Sequence, residues 1–293
     1  MMNDGSQFLD GASLQRTLAG QSLRGAAARV EVVENIRSTN AKLILEAERS
    51  DNHFLIAHQQ TAGVGRRGGV WQSPPSGNLY LSYCFHTQQP LSEVALMPLA
   101  FGVEIAQGIE SKFASPLSLK WPNDLYLRGK KCGGMLLETK ALANEVMAVV
   151  VGVGINVASH PDEKLLGRPT TCLQSECQEP IALSEVALAV MSAITLICEL
   201  PPAEVSQRLM RQWSKRDFLL GQPVVVSQGS GAAGTTVRGV AQGIAPDGGL
   251  RIDLGDTTET FYAGDVSLGH VSGHVSAHVS GHVSGHANVP GSE

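Results

Sequence analysis

Aromatic residues make up only 5% of this 293-residue sequence, so its core must be built mainly from aliphatic side chains. Basic residues are in the minority. The 22 Lys and Arg against 27 Asp and Glu leave a formal net charge of -5, without the basic footprint of a general nucleic-acid or membrane-surface binder. Cysteines number only five, at 84, 132, 172, 177 and 198. That odd number lacks metal-ligand spacing, Cys172 and Cys177 standing wider apart than a zinc pair, and reduced, mostly buried thiols in a reducing cytoplasm fit it. No apolar run approaches the roughly 18 residues that span a bilayer. The opening "MMNDGSQFLDGAS" lacks the basic and apolar regions of a secretory signal. The expectation is a cytoplasmic protein with no nucleic-acid and no membrane partner.

What is present suffices for a full core. The chain is 43% hydrophobic and 17% charged, and its length suits about two domains. Residues 1–29 are short and rich in small side chains, with one short helix expected over "LQRTLAG". From 30 to 217, strand patterns ("VEVVENI", "HFLIAHQQ", "NLYLSYCFH", "EVMAVVVGVGINVA") alternate with helical ones ("STNAKLILEAERSD", 92–113, 183–199 and 202–216). Residues 117–140 read as strand, turn and strand, with Gly129 in the turn. This order predicts an α/β or α+β domain with a mixed, mostly antiparallel sheet flanked by helices, spanning residues 30–217. Residues 218–268 hold four short strand patterns spaced by Gly, Asp and Pro turns, a small all-β barrel, with "PDGG" (246–249) as a hairpin turn. The tail, 269–293, repeats His every four residues. Its Gly, Ser and Val oppose a helix, so it reads as disordered, with a metal- or partner-binding segment as the alternative.

Four stretches carry chemistry. "GVGRRGG" (63–69) offers glycines that let a backbone approach an anion, and Arg66 and Arg67, which bond phosphate or carboxylate bidentately. Alone it fits a solvated turn better than a site, and it matches neither the dinucleotide nor the Walker fingerprint. "KWPNDLYLRGKKCGG" (120–134) places Asn123 and Asp124 after a rigid proline, and Lys131 beside glycines that leave room for a ligand. Gly152 and Gly154 in "GVGINV" mark close approach within a buried strand that ends at Asn156. Ser38 and Thr39 in "RSTN" suit a helix cap or a site.

Their order is more specific than any one of them. "STN", "QTAGVGRRGGVWQSPPSGNLYLS", "KWPNDLYLRGKKCGGMLLE" and "GVGINV", with a small β domain behind, resemble the biotin protein ligases over roughly residues 30–268. The resemblance implies a class II synthetase-like catalytic domain followed by an SH3-like β-barrel. It implies that Ser38, Thr39, Gln60, Gly63 and Gly134 line the biotin site. Arg66 and Arg67 would close over biotinyl-5'-AMP, Trp71 would pack at the adenine, and Asn123 and Asn156 would contact the nucleotide. Asp124 would serve the ATP–Mg²⁺ end, indirectly at the metal, and Lys131 would bond biotin and the reacting centre. Lys131, Arg66 and Asp124 are thus the catalytic candidates. Biotin and ATP are the implied substrates, Mg²⁺ the cofactor, and a biotin carboxyl carrier protein the partner, with a monomer or homodimer open. Two departures stand out: Val64 and Gly69 occupy positions where the family loop commonly carries arginine. Only about 29 residues precede Val30, fewer than a winged helix-turn-helix needs, so no repressor activity is expected. A lipoate- or octanoate-transferring enzyme on the same fold, or a non-catalytic biotin- or nucleotide-binding protein, are the alternatives.

Overall fold

The computed structural model describes residues 9–74, 77–113, 116–228 and 235–269. The histidine-repeat tail lies outside the described residues.

The centre is a seven-stranded sheet: β1 (Arg29–Ile36), β2 (His53–Gln60), β3 (Leu79–Thr87), β4 (Leu117–Lys120), β5 (Asp124–Leu127), β6 (Lys130–Ala141) and β7 (Met147–Ile155). Its order is β1-β2-β3-β7-β6-β5-β4, and only the β1–β2 pair is parallel. One face is covered by α4 (Leu91–Phe113), α6 (Leu183–Glu199) and α7 (Pro202–Trp213), which close an aliphatic core around Phe101, Ile105, Ile109, Val151, Val190 and Ile194. Among the described residues, the other face carries only the short α3 (Thr39–Leu45), whose Leu43 packs with Leu55, Cys84, Ala148 and Val150. That one helix does not span the sheet, and the uncovered remainder forms the floor of a cavity.

Several local outcomes differ from the sequence expectation. The N-terminal segment forms two helices, α1 (Gly11–Ala19) and α2 (Leu23–Ala27). Asp10 caps the first by accepting from the Ala12 and Ser13 N–H groups, and Leu14 and Leu18 anchor it in the core. Helix α3 stops early: Ser50 Oγ donates to the Glu46 carbonyl at 2.9 Å, and residues 47–49 tighten into a 3-10 turn. Residues 117–140 hold three strands, because Pro122 has no N–H to give a ladder and the chain reverses at 121–123 before β5 begins. A short helix, α5 (Glu163–Leu166), capped by Asp162, had no apolar period to announce it.

The C-terminal unit is the antiparallel, SH3-like arrangement expected, with β8 (Pro223–Gln228), β9 (Thr235–Ile244), β10 (Leu250–Asp253), β11 (Thr258–Phe261) and β12 (Asp265–Leu268) in the order β11-β10-β9-β8-β12. The last strand pattern splits in two at 262–264, giving five strands where four were read. Contacts among the described residues tie this unit to the larger one, including Arg66 Nη1 donating to the Gly264 carbonyl at 3.4 Å. Trp121 Nε1 donates to the Gly248 carbonyl at 3.0 Å. Arg67 pairs with Asp265 at 2.7 Å. The connecting segment bonds β4 through Leu119 N to Arg216 O (2.7 Å) and Phe218 N to Leu119 O (2.9 Å).

Candidate active site

Strand alternation builds the cavity. Side chains two residues apart point to one face, so the parity that places Ala148 and Val150 under α3 aims positions 152 and 154 at the cavity. Both are glycine. Cross-strand register then fixes their neighbours: Glu138, Val150 and Cys84 form one row, Leu136, Gly152 and Ser82 the next, and Gly134, Gly154 and Tyr80 the third, with Asp124 opposite Gly134. A Cβ at 152 would lie 2.2 Å from Asn40 Oδ1, and one at 154 would lie 2.5 Å from the Trp71 ring. The glycines are therefore space for Asn40 and Trp71 to lie flat on the sheet.

Lys131 reaches this face through a bulge. The β5–β6 ladder skips Cys132, pairing Gly133 with Leu125 and Lys131 with Tyr126. The extra residue turns the lysine inward, as bulges beside sites commonly do. Its Nζ then lies 2.5 Å from Asp124 Oδ1 and 5.7 Å from the centre of the Trp71 ring. Burial pushes the Lys131 ammonium below the usual lysine range, and the Asp124 carboxylate opposes that shift.

The cavity has a volume of about 330 Å³. Four cations, Arg66, Lys120, Lys131 and Arg168, line it against two carboxylates, Asp124 and Asp265, an electropositive chamber in an acidic protein. Burial also lowers the Lys120 and Arg66 pKa values. Arg66 remains charged, as guanidinium does throughout the physiological range. Lys120 lies over the Tyr126 ring at 5.5 Å from its centre.

At the opposite end, under α3, the lining turns neutral and polar. Ser38 Oγ caps α3 by accepting from Ala41 N at 3.3 Å. Gln60 Oε1 accepts the Thr39 N–H at 2.8 Å. Behind Thr39 lie Ser82, Asn40 and Glu138, linked by side-chain hydrogen bonds.

The residues singled out from the sequence separate into two groups. Ser38, Thr39, Gln60, Arg66, Trp71, Asn123, Asp124, Lys131 and Gly134 all line the cavity. Asn123 faces it while its Nδ2 donates to the Met135 carbonyl, bracing the 121–123 turn. Gly63, Arg67 and Asn156 stand apart. Gly63 lies under Trp71, where a Cβ would come 2.6 Å from the Trp71 carbonyl oxygen. Arg67 adopts a left-handed backbone (φ 53°), which swings its side chain to Asp265 and away from the cavity. Asn156 Nδ2 donates to the Thr171 carbonyl at 3.0 Å, and the residue borders a small side cavity with Trp71, Arg168 and Thr170. There the Asn156 Oδ1 and Trp71 Nε1 atoms are buried with no hydrogen-bond partner among the described residues, an acceptor and a donor left for something else.

Sequence reasoning missed Asn40, Ser82, Glu138 and Arg168. Ser82 and Glu138 were legible only through cross-strand register, and Asn40 only through the packing of α3 on those strands. Arg168 sits on the loop after α5, with no carboxylate partner within ion-pair distance among the described residues.

Comparisons with known proteins agree with this geometry. Residues 32–156 match the model of the Biotin/lipoate A/B protein ligase family, and residues 219–269 that of the Biotin protein ligase C terminal domain. The biotin--[acetyl-CoA-carboxylase] ligase of Mycobacterium tuberculosis is 31% identical over 278 residues, covering 88% of this chain and 95% of the relative. The bifunctional ligase/repressor BirA of Escherichia coli is 28% identical over 254 residues, 86% of this chain and 77% of BirA. The biotin protein ligase from Aquifex aeolicus in complex with biotin and ATP superposes with a TM-score of 0.65 at 27% identity, covering 81% of this chain and 97% of that one. With the polar end, the cationic end and the glycine floor in one cavity, and with these matches along most of its length, the chain belongs to the biotin protein ligase family.

Proposed function

We propose that this cavity joins biotin to ATP and passes the biotinyl group to a lysine of a biotin carboxyl carrier protein. One biotin carboxylate oxygen attacks the α-phosphorus, and the bond to the bridging oxygen breaks, releasing pyrophosphate. The carrier ε-amine then attacks the acyl carbon of biotinyl-5'-AMP, AMP leaves, and the amine loses a proton to solvent. Substrates supply both nucleophiles, so the protein must position them and stabilise charge on phosphate oxygens.

The observation that carries the reading is the polarity of the cavity. A neutral hydrogen-bonding end under α3 suits a cyclic urea, and a cationic end at Lys131, Arg66, Lys120 and Arg168 suits a carboxylate meeting a polyphosphate. Ser38, Thr39, Gln60 and Gly63 serve the first end, and Gly134 leaves room beside Lys131 for the acyl chain. Trp71 and Asn156 offer the donor and acceptor that an adenine edge would take. Arg67, with Arg66, belongs to the loop over the adenylate and leaves Asp265 when that loop closes. Magnesium fits as a companion of ATP. No cluster of three metal-ligating side chains exists among the described residues, and Asp124, with one oxygen on Lys131, has a second for a phosphate-bound ion. That ion neutralises phosphate charge.

No helix among the described residues is long and apolar enough to cross a membrane. We further propose a cytoplasmic ligase, monomeric or homodimeric, without repressor activity: α1 packs its leucines into the enzyme's own core. Purified chain with biotin, labelled ATP and a carrier domain tests the whole reading. Biotinylated carrier, AMP and pyrophosphate are expected. Pyrophosphate release with no carrier labelling, or equal transfer of octanoate, refutes it. A gel shift on a biotin-operon promoter with biotin and ATP, showing specific retardation, refutes the absence of repression.

A further inference from the structure

The loop that follows α5 is sewn to the strand that carries Lys131. Lys131 N donates to the Pro169 carbonyl at 3.1 Å, and Thr171 N donates to the Lys131 carbonyl at 3.0 Å, a parallel rung along the start of β6. Leu173 N bonds the Asn156 carbonyl at 2.9 Å, just beyond the end of β7. Gly167, with φ 62°, ends α5 and turns the chain toward this rung. Arg168 stands between the two. It is exposed, yet it lines both the main cavity and the side cavity, so the backbone of Lys131 holds it at the mouth.

No carboxylate among the described residues answers its charge. Asp124 is taken by Lys131 and Asp265 by Arg67. The loop carboxylates are taken too, Glu163 by Lys130 and Glu176 by Arg128. Burial lowers the Lys131 and Lys120 ammonium groups first, Asp124 opposes, and the Arg168 charge lowers both further. Three cations thus repel one another around one carboxylate, a repulsion that a polyanion relieves.

The lid leaves a matching gap. Gly69 lines the same cavity and brings no side chain, at a position where the family loop commonly carries arginine. Its backbone, φ -62° and ψ 152°, is open to any residue, so conformation does not demand the glycine. Its neighbour Val70 borders the side cavity together with Arg168. An arginine at position 69 and the one at 168 would serve the same region of the mouth.

We infer that Arg168 supplies the charge missing from the lid at Gly69, binding the phosphate chain of ATP from the loop anchored on Lys131. The inference rests on the ATP reading above. It adds that this phosphate contact is carried by the sheet rather than by the lid.

The test is binding of ATP with Mg²⁺ to the full chain by calorimetry. The alcohol analogue of biotin, which has no carboxylate to react, fills the other end. R168Q should weaken ATP about tenfold, the worth of one charge-assisted bond at an exposed position. Biotin affinity and Tm should stay near those of the parent, since Arg168 makes no ion pair to lose. G69R/R168Q should regain ATP affinity to within about threefold of the parent, because the guanidinium introduced at position 69 reaches the same region. The added Cβ lies 3.1 Å from the Arg66 carbonyl oxygen, a contact that a small shift relieves. Unchanged ATP affinity in R168Q overturns the inference, as does an equal loss of biotin affinity, or a failed rescue in a folded double variant. Absence of ATP binding by the unaltered chain overturns the ATP reading instead.

Discussion

The Lys131–Asp124 pair gives the sharpest test of the cavity's electrostatics. Asp124→Asn keeps the shape but leaves the ammonium without a counter-charge. Removing one partner of a fully buried pair costs about 3–5 kcal/mol. Here the side chains retain 10% and 15% exposure beside an open cavity, so about 2 kcal/mol is the expected share. For a protein of this size that lowers Tm by about 4–8 °C. The ligand should repair the defect: the phosphoryl–carboxylate centre of biotinyl-5'-AMP supplies the missing negative charge to Lys131. Scanning calorimetry should therefore show a large Tm deficit in the ligand-free variant and a much smaller one with saturating biotinyl-5'-AMP. An undiminished deficit in the presence of adenylate refutes the placement of Lys131 at the reacting centre. An unchanged ligand-free Tm refutes the coupling of the pair.

Arg66→Gly should speed release of biotinyl-5'-AMP about 100-fold, if its charge-assisted bonding contributes about 3 kcal/mol; unchanged dissociation in stopped flow sinks this. Gly154→Ala drives a methyl into the Trp71 ring, and overpacking of about 1–3 kcal/mol should raise KM for ATP about 10- to 100-fold while biotin binding stays near that of the parent. His53, buried on β2, is held by burial and then by Arg29 below its ordinary value of 6.5, although Glu31 Oε2 lies 3.3 Å from its Nε2 and opposes the shift. As pH falls through that ordinary value the unfolded chain binds a proton that the native chain refuses, so acid lowers stability until the pH passes the native value. His53→Gln should flatten urea midpoints measured between about pH 7 and pH 5; an unchanged slope in the variant excludes His53 as the source.

The sheet, its helices and the C-terminal β unit were legible because strand and helix periods are local. The end of α3 at Leu45 was not, since the turn that follows is held by contacts such as Ser50 Oγ donating to the Glu46 carbonyl, which leave no periodic signal. Among the site residues, those in short motifs could be named from the sequence. Ser82 and Glu138 could not, because only the β3–β7–β6 register brings them together, and Asn40, although inside the "STN" motif, meets them only through the packing of α3 on that sheet. The reverse error arises in the glycine loop. Two adjacent arginines look equivalent in the sequence, yet the left-handed turn at Arg67 sends one to the cavity and the other to Asp265.

The connection between the two β units has a mechanical consequence. Residues 216–218 run as an added rung along β4, and the Lys120 that ends β4 lines the cavity. A free swing of the C-terminal unit would first have to unzip that rung, beside the strand that leads into the Trp121–Asp124 turn. A pull on the C-terminal unit would therefore load β4, the strand whose last residue, Lys120, lines the cationic end of the cavity.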